Sequence, residues 1–156
     1  MRNCDREQHI MKKTTRKLLI KYESAITNAT RRTLMSASGW AADIPHGGGV
    51  YVIWQSNTPI YVGESSSLRA RMSDIGRPAT HTFARKTCKA LRIPVQASKR
   101  LAVAMRARYK LTFITVELGR AEVEEYLILR WRKTLTNKPA KRLLRSPQYA
   151  WVKEIP

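Results

Sequence analysis

The sequence predicts an α+β fold, a small and largely antiparallel sheet flanked by helices. Three observations carry that expectation. Two short apolar runs, 49–54 and 60–63, are separated by Gln55-Ser56-Asn57-Thr58-Pro59, the composition of a hairpin loop. A later run, 111–117, is rich in β-branched and aromatic residues and reads as a third strand. The segments around these runs space their apolar residues three and four apart, as helices do.

In chain order, residues 12–37 read as an amphipathic helix. Leu18, Tyr22, Ala25, Ile26 and Ala29 fall at helical spacing among Lys12, Lys13, Arg16, Lys17 and Lys21. Gly39 and then the stretch from Pro45 to Gly49 break it. After the hairpin, Ser65, Ser66 and Ser67 offer N-caps for a helix over 68–75, which Gly76 and Pro78 end. Residues 82–92 are helical again, with Phe83, Thr87 and Leu91 on one side and Arg85, Lys86, Lys89 and Arg92 on the other. Beyond the third strand, Gly119 precedes a helix over 121–135, terminated by Asn137 and Pro139. The tail, 141–156, is basic and partly apolar through Leu143, Leu144, Tyr149 and Trp151. No internal repeat or low-complexity segment is present.

Composition narrows the function. A chain of 156 residues with 43% apolar content has enough material for one packed domain. It lacks any run of about 18 apolar residues, so no membrane-spanning helix is expected. The N-terminus mixes Arg2, Asp5, Arg6 and Glu7 without an apolar stretch, so no secretory signal is expected either. Cys4 and Cys88 have no metal-ligand spacing, which fits a reducing, cytoplasmic setting. Thirty Lys and Arg against eleven Asp and Glu give a formal net charge of +19. That self-repulsion points to a polyanionic partner, nucleic acid ahead of a membrane surface. The plainer alternative is a basic surface kept for solubility.

Side-chain direction singles out individual residues. In an antiparallel pair, any register whose partner numbers sum to an even value keeps Tyr51 and Tyr61 on one face. Two aromatics packed across a hairpin would account for the tyrosines alone. In the helix over 68–75, Leu68, Met72 and Ile75 form the stripe that docks on the sheet. At about 100° per residue Arg71 falls inside that stripe and Arg69 does not. An inward arginine needs an anion or a hydrogen-bond partner, or else snorkels out at the stripe edge. In the helix over 121–135, Val123, Leu127, Ile128, Trp131 and Leu135 form the apolar face. Glu124 projects into it, while Glu122 and Glu125 project away. A carboxylate centred on a buried face needs a cation, a metal or a hydrogen-bond network. A buried Glu124–Arg71 salt bridge is the structural alternative. Asn137 by position alone is a C-cap or turn residue.

Gly49-Val50-Tyr51 and Tyr61-Val62-Gly63 stand ten residues apart, tyrosine to tyrosine, and are followed by Arg71, a strand, Glu124 and Asn137. In this order the set closely resembles the GIY-YIG nuclease family over residues 47–139. The resemblance implies a three-stranded antiparallel sheet flanked by helices and an endonuclease that hydrolyses DNA phosphodiester bonds with one divalent metal, Mg²⁺ or Mn²⁺. By the same resemblance Glu124 is the metal ligand, and Arg71 holds the scissile phosphate. Tyr51 and Tyr61 orient or deprotonate the attacking water, and Asn137 orders the active-site end of its helix. The chain departs from the family's motifs at Val50 and Val62, which are conservative. It also has Ile75 where some restriction-type members carry a histidine one turn after the arginine. His81 is a spatial substitute for that group, or an ordinary loop histidine. Glu64 either touches the metal through water or faces solvent.

The nuclease-like domain is thus bounded at 47–139. A basic helical extension, 1–46, precedes it, and a basic and apolar tail, 140–156, packs on it. Arg69, Arg85, Lys86, Lys89, Arg92, Lys99 and Arg100 are the candidate DNA contacts, since phosphate neutralisation requires such cations. The expected partner is DNA, with RNA as the second polyanion, and no membrane. The expected state is monomer or homodimer, in the cytoplasm or on a nucleoid. A non-catalytic nucleic-acid binder with the same fold is the competing reading.

Overall fold

A computed structural model describes residues 2–155, with side chains from residue 13 onward. Cys4 and Lys12 have side chains outside the described set. Helix α1 (Arg2–Asn28) leads into a two-residue strand β1 (Arg32–Thr33). Strands β2 (Gly49–Gln55) and β3 (Thr58–Ser65) form the hairpin, and α2 (Leu68–Ser73), α3 (Thr82–Leu91) and α4 (Ser98–Arg108) follow. Strand β4 (Tyr109–Thr115), α5 (Arg120–Arg130), the short α6 (Lys141–Leu144) and a 3₁₀ turn (Pro147–Tyr149) complete the chain.

The sheet has four strands in the order β1-β4-β2-β3, all antiparallel, where three were expected. The extra strand comes from the segment assigned to the first helix. That helix stops at Asn28, not at residue 37. Arg31 then stacks over Trp54, 4.3 Å from the ring centroid, and donates to the Ser56 carbonyl at 2.9 Å. This draws the chain sideways, and Arg32 and Thr33 pair with Leu111 and Lys110 on the open edge of β4. An unpaired edge outcompetes a helix end rich in threonine and asparagine. Arg32 is then clamped by Asp43 through two hydrogen bonds, of 2.7 and 2.6 Å.

Both faces of the sheet are covered, so the architecture is helix–sheet–helix. Tyr51, Ile53, Tyr61, Leu111 and Phe113 face α2, α3 and α4, packing on Leu68, Met72, Phe83, Leu101 and Met105. Val50, Val52, Trp54 and Val62 face α1, α5 and the tail, packing on Leu19, Ile26, Tyr126, Leu127, Leu143 and Tyr149. This explains why β2 reads as a continuous apolar run: six of its seven residues are buried, as a central strand covered on both sides requires. Helix α1 is pinned to α5 through Glu23, which accepts from Tyr126 Oη and, at 3.0 Å, from Arg130 Nε.

Two further differences have physical causes. Helix α5 ends at Arg130, short of the expected 135. The residues after it bond to the outer edge of β3 instead. Thr134 Oγ1 donates to the Pro59 carbonyl at 2.7 Å, and the Thr136 amide donates to the Ile60 carbonyl at 2.8 Å. Helix α4 was read only as a basic stretch. Its two buried anchors, Leu101 and Met105, are set among arginine, lysine, alanine and an exposed Val103 over about three turns, so the apolar pattern is thin.

Candidate active site

The register of the hairpin sets the site. Tyr51 lies opposite Gly63 and Ile53 opposite Tyr61, so both tyrosines share the face towards α2 and α3. Their rings stack with centroids 6.2 Å apart and planes at 25°. The glycine in the second motif has a specific task. A β-carbon at Gly63 would overlap the Tyr51 ring and hydroxyl, so the bare strand gives that side chain its place. Gly49 is tight for a different reason: a β-carbon there would strike the Ile114 carbonyl of β4.

Serines steer Arg71 to the tyrosines. Ser65 Oγ donates to the Ser67 carbonyl at 2.9 Å and accepts from the Ser67 amide at 3.1 Å, turning the chain out of β3. Ser67 caps α2 by accepting from the Ala70 amide at 3.4 Å. With Leu68 and Met72 buried beneath, Arg71 points inward and its Nε donates to Tyr51 Oη at 3.3 Å. Arg69 turns the other way, and its Nε donates to the Ile44 carbonyl at 2.7 Å.

Helix α5, on the opposite layer, supplies Glu124. It is half-buried and, among the described residues, makes no ion pair, so the salt-bridge alternative with Arg71 is not formed. Burial first, then the Glu64 carboxylate, pushes its carboxyl up to about 7, against the pull of Arg71 and the Glu64 amide. Its neighbours on α5 are engaged elsewhere. Glu125 accepts from Arg142 at 3.1 Å and from Tyr149 Oη at 3.0 Å, and Glu122 is exposed at the helix start. Glu64 is partly exposed to solvent and is paired, with Arg120 Nε 3.2 Å away. Its charge acts on Glu124.

Two residues take places that the sequence did not specify. His81 is wholly buried, not a surface loop residue, and its Nε2 lies 3.2 Å from Tyr51 Oη. Its Nδ1 accepts from the Phe83 amide at 3.2 Å and so caps α3. Burial, then Arg71 and Arg85, push the imidazole down to about 4, so it is neutral at pH 7. The only signal in the sequence was its position directly before a helix, an N-cap position. Asn137 does not order the end of its own helix, which lies seven residues back. Its amide brackets Val62, donating to the carbonyl at 2.7 Å and accepting from the amide at 3.3 Å. It thereby holds the edge strand beside Tyr61.

The tyrosine hydroxyls are both pushed upward by burial, Tyr51 the more strongly, and the charge of Glu124 adds to the rise. Both are therefore protonated at neutral pH. The candidate DNA contacts divide. Arg69 is engaged as above. Arg85 braces the 78–82 turn through the Pro78 carbonyl at 3.1 Å, and Lys86 reaches the Thr136 carbonyl. Lys89, Arg92, Lys99 and Arg100 are exposed on α3 and α4, and none makes an ion pair or side-chain hydrogen bond among the described residues. No described helix is long and apolar enough to cross a membrane. The chain matches no protein-family model, no curated protein sequence and no solved structure.

Proposed function

We propose that the chain is a metal-dependent endonuclease that hydrolyses DNA phosphodiester bonds at a one-metal site. The observation that carries this reading is the convergence of Tyr51, Tyr61, Arg71 and Glu124 from β2, β3, α2 and α5, with Glu124 half-buried and, among the described residues, without an ion pair. Burial and the Glu64 charge make the ionised form of that carboxylate costly, a cost that a bound cation would offset. The motif order over residues 47–139 supports the same reading.

The donor set fits a hard divalent cation. Among the described residues no cluster of three or more His, Cys, Asp or Glu exists, which disfavours a zinc-type cage. Mg²⁺ and Mn²⁺ suit a single carboxylate with the remaining positions filled by water. Glu124 would hold the ion, which when bound supplies Lewis-acid polarisation of the phosphate and an acidified water.

The chain's own residues do the rest. A phosphodiester is already anionic, so its negative charge must be offset before a nucleophile approaches. Arg71 gives its Nε–H to Tyr51, and its terminal N–H groups are the donors for a phosphate oxygen. The tyrosine pair, neutral at pH 7, orients the attacking water as one hydrogen-bonded unit and does not serve as free phenolates. Asn137 fixes Val62 and with it the course of β3 beside Tyr61. Lys89, Arg92, Lys99 and Arg100 offer the cationic track for the backbone.

The test is a nicking assay with supercoiled plasmid, single-stranded DNA and RNA, in Mg²⁺ or EDTA, alongside Glu124→Ala and Arg71→Ala. Metal-dependent cleavage lost in both variants is the expected result. Salt-sensitive binding without cleavage, on a randomised substrate library as well, would replace the nuclease with a pure binder.

A further inference from the structure

We propose that His81 is a positioning residue: its neutral imidazole donates Nε2–H to Tyr51 Oη, and together with Arg71 it fixes the direction of the Tyr51 hydroxyl. The inference follows from proton counting at one buried triad. A backbone amide can only donate, so the Phe83 N–H at 3.2 Å makes His81 Nδ1 the acceptor and leaves it without a proton. A neutral imidazole carries one proton, which must then sit on Nε2. Nε2 lies 3.2 Å from Tyr51 Oη and is therefore the donor of that bond. Arg71 Nε, 3.3 Å from the same oxygen, has no acceptor capacity and donates as well. Both lone-pair positions of Tyr51 Oη are then filled.

The consequence is an unequal pair. The Tyr51 oxygen has no lone pair left to take a proton from water, and its own proton must be given away. The neighbouring acceptor is Tyr61, whose ring stacks on Tyr51 and whose ionised form a Tyr51 donor favours. His81 makes its hydrogen bond to Tyr51 and only a ring contact with Tyr61, so of the two hydroxyls Tyr51 is the one whose direction is fixed from two sides. His81 cannot act as a general base on Tyr51, because its free nitrogen points at Phe83. The full burial of the ring, its tilt of 58° to Tyr51 and its contacts with Tyr61 hold this arrangement.

The use of this device in catalysis rests on the endonuclease reading; the tautomer does not, so the experiment reads both. In uniformly ¹⁵N-labelled protein, long-range imidazole correlations report which nitrogen of His81 carries the proton. The expected result is the Nε2–H tautomer at pH 7, retained to pH 5; an Nδ1–H tautomer or an imidazolium at pH 7 overturns the proposal. In cleavage assays, His81→Asn keeps a helix-capping acceptor for the Phe83 amide and lacks the distal donor. His81→Gln restores an N–H near the Nε2 position. His81→Asn is expected to lower kcat about tenfold or more with KM unchanged, and His81→Gln to recover most of it. Equal kcat in wild type and His81→Asn would overturn the positioning role, as would losses that track the melting temperature of both variants. An Nε2–H tautomer in a wild-type protein that cleaves nothing supports the proposed hydrogen bond and sinks the nuclease reading alone.

Discussion

Glu124→Gln tests whether the inward carboxylate is kept for chemistry at a cost in stability. In the unfolded chain this carboxyl titrates near 4.5; in the folded chain it titrates at about 7. The folded state therefore holds the proton more tightly between those values. Stability falls as pH rises through that window, and the penalty is complete above about pH 7. At 1.36 kcal/mol per tenfold change in proton affinity the full penalty is about 3 kcal/mol, and partial solvent access reduces it to about 2 kcal/mol. Glutamine resembles the protonated acid in shape and charge, so Glu124→Gln avoids the penalty. At pH 8.5 the variant should be about 2 kcal/mol more stable than wild type, roughly 4–8 °C in melting temperature for a chain of this size. Below pH 4.5 the two should coincide. The assay is denaturant unfolding at pH 4.5, 6, 7 and 8.5, repeated at pH 8.5 with Mg²⁺. Saturating metal should stabilise only the wild type, by about 1.4 kcal/mol at ten times Kd. A variant less stable than wild type at pH 8.5 would show that the carboxylate holds the fold together. A gap that persists below pH 4.5 would show that its ionisation was never the cause.

Three further outcomes follow from particular contacts. Asn137→Ala removes both bonds to Val62 and should cost about 1–3 kcal/mol in denaturant unfolding, with amide exchange accelerated first at Val62. Gly63→Ala places a methyl where the Tyr51 ring sits. It should cost about 1–3 kcal/mol and abolish cleavage while the far-UV circular dichroism is unchanged. If Lys89, Arg92, Lys99 and Arg100 each neutralise one phosphate, log affinity for duplex DNA should fall against log salt with a slope of about −3.6, read by fluorescence anisotropy. Each alanine replacement should then reduce that slope by about 0.9, whatever the DNA sequence.

Which parts of this molecule could be read from its sequence depends on how local their causes are. The shared face of Tyr51 and Tyr61 follows from strand parity alone, and the even-sum register holds, with the bulge after Ile53 falling outside the tyrosines. The inward course of Arg71 and Glu124 follows from helical angle alone, and both are half-buried as that angle requires. The places where the reading failed are those where a segment had a distant partner to satisfy. Residues 29–37 and 131–135 carry helix-compatible patterns, yet each flanks an open sheet edge, β4 in one case and β3 in the other. A bare edge presents rows of N–H and C=O groups that no local propensity scale registers. The same logic accounts for the two site residues whose contacts are not written in their local sequence. Asn137 is an edge-strand partner and only by position a helix terminator. His81 has one local cause, the cap on α3, visible as a residue before a helix, and one non-local cause, the Tyr51 hydroxyl, visible only once α3 is folded onto the sheet. The sheet edges at β3 and β4 are thus both closed by segments drawn out of helices, and the closure at β3 is the one that holds the strand of Tyr61 in place.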